Sequence, residues 1–249
     1  MNATLVRVEL TRQVRDAINL MFILIMPIFM FVIFGNIFGT SDAPVGNGNL
    51  KFYIMVSMAA YGAAVGATGI AGSAATEQIE GWGRQLSLTR MTPAVFVASK
   101  TLVALIVAAA ACSVLFLVGL VSGASADSVL IWFGCLLLIV LGCALFGLYG
   151  LAIALSFRTN SALGIAAAGL TFLAFLGNVF IPLSGTLLTV SKFTPMYGYV
   201  GLARYPLTEG YNSGGGHDSI WLLLANVLAW AAVFALLCLR AVRRTRERY

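Results

Sequence analysis

Charged residues along this chain fall in clusters, and the intervals between the clusters are long and apolar. Uncharged runs cover 17–38, 52–75, 101–126, 128–157, 159–191 and 219–239. Each reaches the roughly 20 residues that a helix needs to cross the hydrocarbon core of a bilayer. The pattern predicts six transmembrane helices, at about 18–38, 52–75, 95–122, 128–156, 160–181 and 219–239. The fifth run is too long for one simple span and contains Pro182, so its helix is expected to end near residue 181. The short alternating segments of a transmembrane β-barrel are not visible. The predicted fold is all-α and polytopic, a single membrane domain over residues 1–249.

Two segments outside the spans carry helical signals. In NATLVRVELTRQVRDAINL, residues 2–20, Leu5, Val8, Arg12 and Arg15 follow near-helical spacing, and Val6, Leu10 and Val14 add apolar surface. This predicts an amphipathic helix lying at the membrane interface and leading into the first span. The small-residue cleavage pattern of a secretory signal is not apparent there. Residues 182–207 are punctuated by Pro195 and Pro206, with Tyr197, Tyr199 and Tyr205 suited to headgroup level. They read as a re-entrant or interfacial helical element on the far side, or as an irregular loop.

Composition agrees with a lipid solvent. Of 249 residues, 60% are hydrophobic and 10% charged, and the mean hydropathy is +0.96. A soluble domain carries about 25% charged residues. With the N-terminus inside, the inner segments hold Arg7, Arg12, Arg15, Arg84, Arg90, Lys100, Arg158, Arg240, Arg243, Arg244, Arg246 and Arg248. Only Lys51, Lys192 and Arg204 fall outside, so the split is 12 against 3 among 15 basic residues. The positive-inside rule places both termini in the cytoplasm of a plasma-membrane protein. The net charge of +6 then calls for no nucleic acid. The terminal RAVRRTRERY is read as an anionic-lipid anchor, with a cytosolic contact as the other reading.

The chemistry is thin. His217 is the one histidine, in the glycine-rich NSGGGHDS, and it cannot build a zinc site alone. Cys112, Cys135, Cys143 and Cys238 all lie within predicted spans without paired spacing, which reads as packing. The ASKT at 98–101 lacks the glycine frame that cradles nucleotide phosphates. No span carries a charge near its centre, where ion-coupled carriers place one. We expect no catalytic residue, no metal and no cofactor, and read the chain as non-enzymatic. The second span is rich in small residues, with Gly62, Gly66, Gly69 and Gly72. They suit either close packing within the chain or a helix that shifts against a neighbour.

Between the second and third spans the apolar pattern stops at EQIEGWGRQLSLTRMTP, residues 77–93. As a helix it gathers Ile79, Trp82 and Leu86 on one face, and Glu77, Glu80 and Arg84 on another. Gly81 and Gly83 each weaken such a helix by roughly 1 kcal/mol relative to alanine. Close approach to another protein would account for that cost. A lipid-surface helix anchored by Trp82 is the other reading. Thr92-Pro93 has the form of an N-cap followed by proline at the first helical position.

The run Glu77-Gln78-Ile79-Glu80-Gly81, with Leu86, Pro93 and Lys100, resembles the permease subunits of ABC-2 type exporters, as does the whole layout of six spans. The resemblance implies that Glu77, Glu80, Gly81, Trp82, Arg84 and Gln85 belong to a coupling element that docks on a separate ATP-binding subunit. It also implies two copies of that ATPase, a second permease, identical or homologous, and external re-entrant helices after span five. Phe172 and Phe175 in span five, with span one, are expected to face the second permease. Tyr61, Thr68, Thr171 and Asn178 are candidate pathway residues, with Ser73 and Asn226 among the other polar groups in the spans. So few polar groups favour a hydrophobic or amphipathic substrate, drug- or lipid-like, unless they serve as helix–helix hydrogen bonds. A channel or scaffold subunit without an ATPase partner is the alternative.

Overall fold

The computed structural model describes residues 3–37, 43–73, 93–157 and 161–246. Helices run over α1 Ala3–Arg15, α2 Ala17–Ile37, α3 Leu50–Gly72, α4 Pro93–Val121, α5 Val129–Gly142, α6 Ala144–Ser156, α7 Ala162–Leu176, α8 Gly185–Ser191, α9 Pro195–Thr208 and α10 Ile220–Arg246. Among the described residues β structure is limited to isolated bridges. The protein is an all-α membrane protein. Four helical stretches are long and apolar enough to cross a bilayer: Leu50–Gly72, Ala98–Val121, Val129–Ser156 and Ile220–Ala241. Ile23–Ile37 and Ala162–Leu176 are shorter apolar helices. The fifth apolar run thus stays helical only to Leu176, after which Asn178 takes a left-handed conformation, φ 60°.

The enclosed centre of the bundle is α3, which packs against α2, α4, α6 and α7. Its small residues are what allow this. A Cβ added at Gly62 would collide with Pro27 of α2. Across the other face, Gly150 of α6 lies directly on the backbone of Thr68. The glycine stripe therefore serves close packing within one chain, where lipid supplies no hydrophobic drive and contact distance decides the dispersion gain.

One consequence is testable. A side chain at position 150 meets backbone, which cannot swing aside, so Gly150→Val should destabilise the protein by about 1–3 kcal/mol. Gly69, by contrast, has nothing within 4 Å of an added Cβ. Gly69→Ala should therefore be neutral or slightly stabilising through helix propensity. Apparent unfolding temperatures of the two variants in one detergent would separate them; equal values would contradict the packing assignment.

At the end of the bundle where α3 begins, two loops are bonded together by a single side chain. Asn49 caps α3 by accepting from Phe52 N at 2.9 Å, accepts from Ser125 N at 3.0 Å, and donates to Gly123 O at 2.9 Å. Asn47 N donates to Leu207 O at 2.8 Å, which fixes the C-terminus of α9 at the same end. From there α9 runs back into the bundle. The Tyr199 hydroxyl lies 3.0 Å from Ile139 O and 3.2 Å from Ala60 O, with one proton to share between them. Ala60 is ten residues into α3, about 15 Å along it at 1.5 Å per residue. Thr194-Pro195 starts it, the Thr194 hydroxyl accepting from Tyr197 N at 3.3 Å and proline standing where no N–H is needed. α9 packs against α3, α5 and α10, whereas the short α8 ahead of it is mostly exposed.

Candidate functional site

The coupling residues Glu77, Glu80, Gly81, Trp82, Arg84 and Gln85 lie outside the described residues. The helices that flank them are described. α3 ends at Gly72, and α4 begins at Pro93. Two turns into α4, Lys100 is buried and its Nζ lies 2.9 Å from Glu9 Oε2 of α1. This ion pair joins the N-terminal helix to α4, the helix that follows the candidate coupling residues. Neither charge reads as buried from sequence spacing, because the partners stand 91 residues apart.

The candidate pathway residues do not converge on one cavity. Tyr61 and Thr171 meet, hydroxyl to hydroxyl, at 3.4 Å between α3 and α7. Thr68 donates to Phe146 O of α6 at 3.2 Å, a helix–helix bond. Ser73 bonds its own helix at Ile70 O. Asn226 Nδ2 donates to Lys192 O at 2.9 Å, tying α10 to the turn between α8 and α9. Asn178 sits just past α7, where its side chain accepts from Leu183 N at 2.8 Å and donates to Ser213 Oγ at 3.2 Å. Each of these side chains makes at least one bond inside the chain, although the buried Asn226 Oδ1 has no hydrogen-bond partner among the described residues. Among the described residues no group of three or more His, Cys, Asp or Glu could hold a metal ion.

The densest polar cluster belongs to the α8–α9 end, and sequence reasoning passed it over. Asp218, 5% exposed and just ahead of α10, accepts from Lys192 Nζ at 2.7 Å, from the Tyr197 hydroxyl, and from Asn212 Nδ2 at 2.9 Å. Beside it, Arg204 is also 5% exposed although it counts as a loop residue by sequence. Its Nε and Nη2 donate to Ser57 Oγ at 3.0 and 2.6 Å, and its Nη1 to Asn178 O at 2.9 Å. The guanidinium carbon lies 4.1 Å from the centroid of the Tyr53 ring, close enough for a cation–π contact. A shallow cleft lined by Tyr53, Tyr197, Arg204, Tyr211 and Asp218 opens above them. The available signal was Thr194-Pro195, which repeats the capping signature of Thr92-Pro93 and places Tyr197, Gly201 and Arg204 along one helix face.

Burial opposes the charge on Asp218, but hydrogen bonds from Lys192, Tyr197 and Asn212 and the Lys192 charge outweigh it and hold its pKa below the ordinary range. A carboxylate with a depressed folded pKa adds stability above its unfolded pKa of about 3.9, and loses it as pH falls through the folded value. Asp218→Asn should therefore weaken the folded protein at pH 7 by about 2 kcal/mol, the scale of a hydrogen bond to a charged group. It should also flatten the loss of stability below about pH 4. Thermal unfolding of both proteins between pH 3 and 7 checks this, and parallel curves would contradict it.

A bundle of apolar helices, with four stretches long and apolar enough to cross a bilayer, defines an integral membrane component. Residues 2–206 match the ABC-2 type transporter family, and the chain belongs to it, as the permease. Comparison with curated proteins gives no match. Permeases of ABC transporters are membrane-spanning parts that work with ABC ATP-binding subunits, and that general association comes with the family.

Proposed function

We propose that the chain is the permease of an ATP-driven exporter that moves a hydrophobic or amphipathic molecule, drug- or lipid-like, out of the cell. The observation that carries this reading is the family match, which runs from α1 through the coupling loop to α9. In this reading the single domain has six spans, with Ile23–Ile37 and Ala162–Leu176 within the first and fifth. The charge split of 12 against 3 supports cytoplasmic termini. The Glu9–Lys100 pair then lies on the inner side and the α8–α9 segment on the outer side.

Two ATP-binding subunits would grip residues 77–87, and their closure on ATP would tilt spans two and five. A second permease, identical or homologous, completes the pathway. Phe172 and Phe175 are 65% and 53% exposed on α7, which supports that span as part of the face toward it. The substrate class is supported by how the polar groups are spent. Thr68, Tyr61 and Thr171 bond within the bundle, which leaves an apolar lining for an apolar cargo.

The test is purification of the tagged permease from its own membranes in mild detergent. Two permeases and two ATP-binding subunits are expected in the complex. A single permease copy without an ATPase would contradict the reading and return the chain to a channel or scaffold role.

A further inference from the structure

We propose that Arg204 is a positioning residue that clamps the outer end of span five to span two, so that opening between these spans requires its bonds to break together. Arg204 belongs to α9, yet every acceptor it uses belongs elsewhere. Ser57 and the Tyr53 ring are in α3; the carbonyls of Asn178 and Val179, at 2.9 and 3.4 Å, follow the end of α7. These carbonyls lie one and two residues beyond the C-cap Gly177, so Arg204 ties the turn after span five to span two from a different element. Gly177 and left-handed Asn178 turn the chain so that those carbonyls face it.

Among the described residues no carboxylate forms an ion pair with Arg204. Its charge is held by two carbonyls, one hydroxyl and one ring, divided between α3 and the end of α7. If these elements separate, Arg204 loses together all of its contacts to one of them. A half-open state would leave a buried cation with only part of its acceptors, which is costly. A fully open state would let water reach the guanidinium. The clamp thus favours two discrete arrangements over a continuum. Lysine could not replace it, because an ammonium lacks the planar fork that serves acceptors on two sides.

The clamp stands on this geometry; its part in outward opening rests on the exporter reading. The test therefore uses the permease in its membrane without nucleotide. Val179 is 5% exposed, and only its carbonyl is used by the clamp, so Val179→Cys provides a reporter for a membrane-impermeant thiol reagent added outside. Buried Cys143 is the internal reference. With Arg204 intact, the reporter should label slowly. Arg204→Gln should raise its rate at least tenfold with Cys143 unchanged, and Ser57→Ala and Arg204→Lys should each raise it severalfold.

A wild-type rate in Arg204→Gln would overturn the proposal, as would a parallel rise at Cys143, which marks general unfolding. Should Arg204→Gln fail to insert, wild-type rates in both Ser57→Ala and Arg204→Lys would overturn it equally. None of these outcomes depends on the ATPase, whose capture tests the exporter reading separately.

Discussion

Replacing Lys100 by methionine should destabilise the permease by about 3–5 kcal/mol, because it strands the Glu9 carboxylate without its partner in an almost water-free site. The two side chains are 1% and 6% exposed, and 2.9 Å separates Nζ from Oε2. Loss of one partner leaves a desolvated charge, whereas loss of both removes the penalty along with the attraction. Lys100→Glu should be worse than Lys100→Met, since it sets two carboxylates against each other. The charge-swapped pair Glu9→Lys with Lys100→Glu should recover most of the loss. Apparent unfolding temperature and protease protection of the N-terminal helix read these effects. If Lys100→Met matched the wild type in both, the pair would not be what docks α1 on α4.

Glu80→Ala and Trp82→Ala should leave insertion intact but weaken association with the ATP-binding subunit. A soluble motor must grip its membrane partner somewhere, and lipid-buried helices offer no grip. We propose that residues 77–85 supply it, with Glu77, Glu80 and Arg84 setting register and Trp82 as the buried anchor that interfaces favour. Truncating a desolvated, paired charge at an interface costs about 2–5 kcal/mol, roughly thirtyfold to several thousandfold in affinity. A solvated charge costs almost nothing to remove. Arg246→Ala in the basic tail is accordingly the control and should change little. Pull-down of the ATPase and substrate efflux, measured for the three variants in the same membranes, distinguish these cases. Wild-type association in both loop variants would return the stretch to a lipid anchor.

The helices of this protein could be read from its sequence because hydrocarbon forbids long polar interruptions. The runs at 52–75, 101–126 and 128–157 overlap α3, α4, α5 and α6 for that reason. The end of α7 was harder to see. Pro182 suggested a stop, yet the helix closes earlier, at Gly177-Asn178, where Met196 packs so closely that a Cβ on Gly177 would collide with it. Glycine and asparagine after an apolar run are a stop signal in their own right, but a long uncharged run hides it.

The polar cluster around Arg204 and Asp218 is illegible for a different reason. Arg204 finds Ser57 across 147 residues and Asn178 across 26. Nothing local distinguishes it from an exposed loop arginine, so it was counted with Lys51 and Lys192. Asp218 likewise looks like a solvated loop carboxylate until Lys192, Tyr197 and Asn212 close on it. Burial of a charge depends on tertiary partners, and hydropathy windows see only neighbours along the chain.

We propose that this permease is driven by an ATPase bound at its 77–87 loop. A photo-crosslinking amino acid at position 82, activated in native membranes, tests it most directly. The expected product is an adduct with a protein that binds ATP, lost on competition by the free ATPase subunit and absent when the crosslinker stands at position 246. Adducts with lipid alone from position 82 would contradict it.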